Sequence, residues 1–212
     1  VNQDAIPDAD LYRPTYAPWC GAEFEELYSR VAKRTLIDPE RMYVLWSLAM
    51  GCRERCGEIW ECGVYKGGSA FVMMGAAYGT HIRLFDTFEG IPNAEQDVDV
   101  HSTGDFGDTS LEDVKEFLGS WPEYHVGEIP GTFRFLESCE IALAHVDVDT
   151  YRSVKDCCEF IWPRMLPGGV MVFDDYGFPS CPGARKAVDE FFRGERAFPV
   201  ALGTGQALVV KA

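Results

Sequence analysis

Two apolar runs that each stop on a pair of carboxylates constrain this chain more than any other feature. Ile141-Ala-Leu-Ala-His-Val146 leads into Asp147-Val-Asp149, and Gly169-Val-Met-Val-Phe173 leads into Asp174-Asp175. Runs this short and apolar, separated by a helix-length segment, read as neighbouring parallel strands buried on both faces. Strands of successive strand–helix–strand units point the same way, so acids at their C-terminal ends meet in the crevice where open α/β sheets bind ligands. One such acid is ordinarily a solvated turn residue or a helix cap. Four together repel unless a cation sits among them, and a divalent ion that favours hard oxygen ligands, Mg²⁺, meets that need.

The charge balance restricts partners. Nineteen Lys and Arg face 34 Asp and Glu, a formal net charge of −15, which argues against nucleic acid and anionic membrane, both of which attract basic surfaces. No apolar stretch has transmembrane length and no basic–apolar leader opens the sequence, so a soluble, cytoplasmic protein is expected. Cys52, Cys56 and Cys62 fit no common zinc spacing, and Cys157-Cys158 are helix neighbours that point apart. Reduced, mostly buried thiols are expected.

Residues 1–20 read as an irregular arm whose aromatics Tyr12, Tyr16 and Trp19 pack on their own domain or on a second subunit, which favours a homo-oligomer. Ala22–Lys33 has helical character, and Asp38-Pro39 starts another helix, with Asp as cap and Pro at the first helical position. A strand then enters Gly63-Val-Tyr-Lys-Gly67-Gly68-Ser69, followed by an apolar helix over Ala70–Tyr78. This turn lacks dinucleotide glycine spacing but still lets backbone N–H groups approach a ligand. Ile82-Arg-Leu-Phe-Asp86 is a second strand, and an acid at its end commonly meets the ribose hydroxyls of an adenosine-containing ligand.

Phe88–Thr109, rich in Gly, Asp and Glu, reads as a mobile lid. Ser110-Leu-Glu-Asp113 opens a helix, Tyr124–Val126 is a third strand, and Gly127 to Ile129 follow it. A helix over Arg152–Met165, a Leu166-Pro-Gly-Gly169 stop, a helix over Gly183–Arg193 and a hairpin of Phe198–Leu202 with Ala207–Val210 complete an α/β pattern.

Four segments carry a resemblance: Glu58-Ile-Trp-Glu-Cys-Gly-Val-Tyr-Lys-Gly-Gly-Ser69, Leu84-Phe-Asp-Thr-Phe-Glu-Gly-Ile-Pro92, His145-Val-Asp-Val-Asp-Thr-Tyr151, and Trp162 through Tyr176. In this order they resemble the macrocin O-methyltransferase (TylF/MycF-like) family of class I S-adenosylmethionine-dependent methyltransferases, which act on antibiotic sugars. The resemblance implies a three-layer α/β/α Rossmann-like fold with a mostly parallel seven-stranded sheet and a C-terminal antiparallel hairpin. Residues 35–212 would form one domain behind an arm and helix at 1–34. It also implies S-adenosylmethionine as methyl donor, Mg²⁺ held by Asp147, Asp174 and Asp175, Asp149 as base, and Asp86 on the cofactor ribose.

By motif position Glu61 and Ser69 would hold the methionine end of the cofactor beside Gly63 and Gly67, with adenine near Gly127 and Ile129. Asp149 is read as lying on the same face of the extended chain as Asp147. His145 is a second candidate proton acceptor, although a buried neutral imidazole is its ordinary reading. The expected acceptor is a small molecule with a hydroxyl, a sugar or other vicinal diol. A catechol is the alternative, although catechol enzymes place a Lys where Thr150 stands. Asp147-Val-Asp149 would also suit a metal-dependent glycosyltransferase, a reading that leaves Gly63–Ser69 and Asp174-Asp175 unused.

Overall fold

The strands alternate their side chains between two helical layers, and that alternation places the acids. A computed structural model describes residues 18–212. Tyr12 and Tyr16 of the expected arm lie outside the described residues, and Trp19 packs against the chain's own core. The elements run α1 Ala22–Val31, α2 Pro39–Met50, β1 Glu58–Cys62, α3 Gly68–Ala76, β2 Ile82–Asp86, α4 Leu111–Leu118 and β3 Glu123–Val126. They continue with β4 Ile141–Val146, α5 Tyr151–Ile161, β5 Met165–Phe173, α6 Pro182–Phe192, β6 Val200–Ala201 and β7 Ala207–Val210. The sheet order is β3-β2-β1-β4-β5-β7-β6. The first five strands are parallel, and β7 runs antiparallel to both β5 and β6.

Trp60, Phe85, Ala144, Met171 and Phe173 point to the side covered by α5 and α6, whereas Ile59, Leu84, Leu143 and Val172 point to the side covered by α1 to α4. Three layers follow. Helix starts obey their capping residues: Asp38 Oδ1 accepts the Arg41 N–H at 2.9 Å, and Ser110 Oγ accepts the Asp113 N–H at 3.2 Å. All eight cysteines are free, and five of them are buried, as expected of reduced thiols. No described helix is long and apolar enough to cross a membrane.

Several boundaries differ from expectation. Helix α5 ends at Ile161 rather than Met165, because Pro163 cannot continue the hydrogen-bond ladder and converts the next residues to a short 3₁₀ turn. Strand β5 begins at Met165 rather than Gly169. The pairing with β4 shifts register between Ile141 and Leu143, and Gly168 at φ +77° lets the extra residues bulge. The first strand of the expected hairpin, Phe198–Leu202, shrinks to Val200–Ala201, a short edge of the kind that resists pairing with other chains.

The 88–109 segment contains no helix or strand but is tied down. Ile91 N–H donates to the Asp105 carbonyl at 2.9 Å, Asp108 pairs with Lys66, and Phe88 and Ile91 are buried.

From β1 the chain winds outward through β2 and β3, then returns to lay β4 on the other side of β1. The C-terminal ends of β1 and β4 are therefore the switch point of the sheet. Gly63 sits there at φ +86°, and a Cβ on it would lie 1.7 Å from the Asp147 carbonyl oxygen. Gly63→Ala must part the two strand ends. A loss of roughly 3 kcal/mol or more is expected, measured by urea unfolding; a variant as stable as the parent would show that the strands need no such close approach.

Candidate active site

A cleft of about 310 Å³ opens over this switch point. Its floor is Gly63 and Asp147, one wall carries Asp86, Gly127 and Ile129, and the opposite wall carries Asp175, Phe178 and Cys181. Leu36, Ile37 and Arg41 enter from the start of α2, and Ile91, His101 and Phe106 from the 88–109 segment.

On the first wall the expected residues divide. Asp86 faces the cleft while its carboxylate accepts the backbone N–H groups of Val64 at 2.6 Å, Tyr65 at 2.9 Å and Phe88 at 2.7 Å. This bonding pulls the glycine turn onto the end of β2. Ser69, buried in the first turn of α3, lines the cleft, so that helix N-terminus presents its N–H groups there. Gly67 does not line it. The left-handed φ of +81° shapes the turn, and a Cβ would point at Leu118 and Val114 of α4.

Glu61 is likewise outside the cleft, because it lies within β1, wholly buried below the strand end that Gly63 follows. Glu61 and His145 are register partners on β1 and β4, and with Asp174 they form a row on the α1–α4 side, wholly buried. His145 Nδ1 lies 3.0 Å from Glu61 Oε1, and His145 Nε2 lies 3.6 Å from Asp174 Oδ1. Burial alone would lower the imidazole pKa, but the facing carboxylates of Asp174 and Glu61 outweigh it and carry the value up to about 10. Two facing carboxylates favour the imidazolium over the neutral histidine expected. His145 does not line the cleft, so it does not face a ligand there.

Asp174 ends the row under α2. Gln206 Nε2 donates to its Oδ1 at 2.7 Å, and the Arg41 guanidinium pairs with its Oδ2. Burial opposes ionisation, yet the facing His145 imidazole, the Arg41 charge and the Gln206 amide hold this carboxyl below its ordinary value. Asp147 and Asp175 behave oppositely. Burial and the charges of their neighbouring carboxylates push both well above the ordinary range. One oxygen from each of Asp147, Asp174 and Asp175 lies within 4.8 Å of the others. Three hard oxygen donors, two of them resisting ionisation for want of positive charge, fit a hard divalent cation.

Asp149 reaches the same place by another route. It does not continue the extended chain: its φ of +58° turns it through the left-handed region, which Asp tolerates better than most residues. Its N–H donates to Asp175 Oδ2 at 3.0 Å, and its own carboxylate stands 3.6 Å from Cys181 Sγ and 3.9 Å from His101 Nε2. Burial raises the Asp149 pKa.

Arg41, His101 and Gln206 were not anticipated from sequence. Arg41 had a readable signal, since a cation in the first turn of a helix opposes the helix dipole. Gln206 had none, being a turn residue brought in by β7. His101 stands out as a base within an acidic loop that follows a ligand-facing strand.

Residues 30–202 match the family model described as macrocin-O-methyltransferase (TylF). The chain is 28% identical over 153 residues to the 8-demethyl-8-(2,3-dimethoxy-α-L-rhamnosyl)-tetracenomycin-C 4′-O-methyltransferase of Streptomyces olivaceus, covering 64% of this chain and 58% of that protein. It is 27% identical over 155 residues to the mycinamicin III 3″-O-methyltransferase of Micromonospora griseorubida, covering 64% and 60%. The chain thus spans less than two thirds of the length of these curated relatives. Among solved structures, the O-methyltransferase NovP matches with a TM-score of 0.74 at 21% identity over 84% of this chain and 82% of that one. CalS11, described as a calicheamicin methyltransferase and a TDP-rhamnose 3′-O-methyltransferase, matches with a TM-score of 0.68 at 23% identity over 90% and 93%.

Arg41→Gln leaves buried Asp174 without its guanidinium. A loss of roughly 3 kcal/mol is expected, the scale for removing one partner of a buried ion pair, read from the urea midpoint at pH 7. An unchanged midpoint would show that Gln206 and His145 suffice.

Proposed function

Because the chain belongs to the macrocin-O-methyltransferase (TylF) family, we propose that it moves a methyl group from S-adenosylmethionine to a hydroxyl of a sugar or similar vicinal-diol molecule in natural-product or glycan biosynthesis. The observation that carries this reading is one cleft with two chemically different ends, a glycine turn beside Asp86 and a cluster of three carboxylates beside Asp149. The sugar substrates in the names of the tetracenomycin relative and of CalS11 support the acceptor class.

Gly63, Ser69 and the start of α3 would take the amino-acid end of the donor, because backbone N–H groups at a helix N-terminus suit a carboxylate. Asp86 would meet the ribose hydroxyls with lone pairs left after its backbone bonds, and Gly127 and Ile129 would flank adenine. Glu61 and Gly67 act one step back: Glu61 fixes His145, and Gly67 shapes the turn.

Methyl transfer from a sulfonium to an alcohol is an in-line displacement on an activated donor, so the protein must align oxygen with carbon and ease loss of the hydroxyl proton. Asp147, Asp174 and Asp175 would hold Mg²⁺, which supplies Lewis-acid stabilisation of the oxygen as it loses its proton. Asp149, held by its N–H bond to Asp175, is the carboxylate that receives the hydroxyl's hydrogen bond and takes part in its deprotonation. Phe178 and Ile91 line the cleft and keep water from the reacting atoms.

Calorimetric titration with S-adenosylhomocysteine is expected to show micromolar binding. Metal-dependent binding of a uridine diphosphate sugar in its place would replace this reading with a glycosyltransferase one. Asp149→Asn should keep that binding while turnover falls about 10²–10⁴-fold; near-normal turnover removes Asp149 from the chemistry.

Metal-free protein carries a pH signature. Asp147 and Asp175 have folded pKa values raised above the ordinary 3.8, so the folded state binds more protons and stability falls as pH rises past that value. His145, raised from 6.5 to about 10, adds loss of the same sign between those values. In chelator the melting temperature should drop from pH 5 to pH 9, and the increment restored by Mg²⁺ should grow over the same range. A Mg²⁺ increment absent at pH 8 would sink the metal assignment.

A further inference from the structure

Beside the cluster of three carboxylates, donors of a softer kind meet on the cleft wall. One donor atom from each of His101, Asp149 and Cys181 lies within 4.8 Å of the others. Asp149 Oδ1 stands 3.6 Å from Cys181 Sγ and 3.9 Å from His101 Nε2. Tetrahedral bonds of about 2.3 Å to sulfur and about 2.0–2.2 Å to nitrogen and oxygen set donor atoms roughly 3.3–3.6 Å apart. The sulfur–oxygen pair therefore already has the separation that a shared ion would give it, and the imidazole stands only slightly farther out.

Each donor is held from outside the trio. Two positions before His101, Asp99 Oδ1 accepts the Tyr151 N–H at 2.9 Å, at the first residue of α5 and just beyond the turn that presents Asp149. Gly183 leaves room for this contact, since a Cβ there would lie 2.0 Å from Asp99 Oδ1. Asp149 is fixed by its N–H on Asp175. Cys181 stands at the start of α6, where its N–H donates to the Phe178 carbonyl at 3.0 Å and its carbonyl accepts the Ala184 N–H at 3.1 Å. Behind the imidazole, Asp105 Oδ2 lies 3.4 Å from Nδ1, and the same carboxylate accepts the Ser102 N–H at 2.9 Å. A carboxylate on the far ring nitrogen is the usual support of a metal-bound histidine, because it orients the ring and fixes which nitrogen faces the ion. Phe106 packs its ring against the imidazole at 5.1 Å between centroids.

We propose that His101, Asp149 and Cys181 form a second cation site, for Zn²⁺ or an ion of like softness, with Asp105 as its supporting carboxylate. Nitrogen, sulfur and a single carboxylate suit such an ion, whereas Mg²⁺ takes oxygen donors of the kind that Asp147, Asp174 and Asp175 offer. Three protein donors leave the fourth tetrahedral position open toward the cleft that all three residues line. Binding displaces the thiol proton to solvent, and the thiolate and the Asp149 carboxylate together balance the charge of the dication. The binding itself does not depend on the methyltransferase reading; its effect on turnover rests on that reading. An Asp149 that ligates Zn²⁺ cannot take the acceptor's proton, so the ion is an inhibitor that acts while Mg²⁺ keeps its own ligands.

The test uses the full chain in excess Mg²⁺. Co²⁺, the spectroscopic stand-in for Zn²⁺, should bind with a near-ultraviolet thiolate-to-cobalt charge-transfer band that is lost in Cys181→Ser. No such band in the parent overturns the proposal, and so does a band that survives Cys181→Ser, which would place the ion on another thiol. Calorimetric titration with Zn²⁺ should show one site, weakened about 10–100-fold in Asp105→Asn and further in His101→Gln. His101 lies on a loop and is partly exposed, so its variant carries the test should Cys181→Ser fail to fold; an affinity unchanged by His101→Gln overturns the site. With S-adenosylmethionine and TDP-rhamnose as probe acceptor, turnover should fall about 10²–10⁴-fold when Zn²⁺ fills the site, the scale for loss of a proton-transfer group. A chelator dose that removes Zn²⁺ and leaves Mg²⁺ should restore it, and the same Zn²⁺ should leave Cys181→Ser near its own Zn²⁺-free rate. Turnover that persists with the site filled overturns the inhibitory role. Failure of the unaltered chain to bind S-adenosylhomocysteine sinks the methyltransferase reading, while the cobalt band still decides the site.

Discussion

Alternating charge across the top of the sheet holds the site together. Glu61 on β1, the His145 imidazolium on β4, Asp174 at the end of β5 and Arg41 on α2 form a buried minus–plus–minus–plus row. Each strand contributes one member because parity turns them all to the same face. Separately buried, any of these charges would be costly; in sequence each is neutralised by its neighbours, and Gln206 donates a further hydrogen bond to Asp174. The row ties α2 and three strand ends to one another, so the carboxylates at those ends have little freedom of position.

This row also explains why the three acids of the cluster are not equivalent. Asp174 is compensated from within the protein, whereas Asp147 and Asp175 are pushed toward protonation. A site with one settled carboxylate and two unsettled ones is prepared for added positive charge rather than already neutral. The Asp149 N–H on Asp175 links this cluster to the wall proposed to meet the acceptor, so metal and substrate, once bound, would share one set of restraints.

What the sequence allowed to be read follows from which features are local. Apolar runs ending in Asp147 and Asp174, the caps Asp38 and Ser110, and the Gly63 turn are short-range signals, and each appears where it was expected. Register and parity are longer-range. Glu61 was expected at the cofactor by motif position and His145 as a second proton acceptor, yet both lie inside their strands, wholly buried and outside the cleft. Asp149 was expected on an extended strand and instead uses a left-handed turn. Arg41, Gln206 and His101 come from three separate segments and meet the acids only after folding, so spacing along the chain could not assemble them. The 88–109 segment was legible as a long acidic loop, but its anchors at Asp99 and Asp105 depend on α5 and on internal turns that composition does not specify.

The net charge of −15 acquires a role once the site is assembled. A sulfonium donor is drawn to an acidic cleft, and the same attraction would resist the reaction if transfer simply erased the positive charge at sulfur, because the field would favour reactant over product. In the proposed step the sulfonium loses its positive charge while Asp149, at the same end of the cleft, takes the hydroxyl proton and loses its negative one. The attraction given up at sulfur is matched by relief of repulsion among crowded carboxylates, so an acidic site can hold a cationic donor without opposing its use.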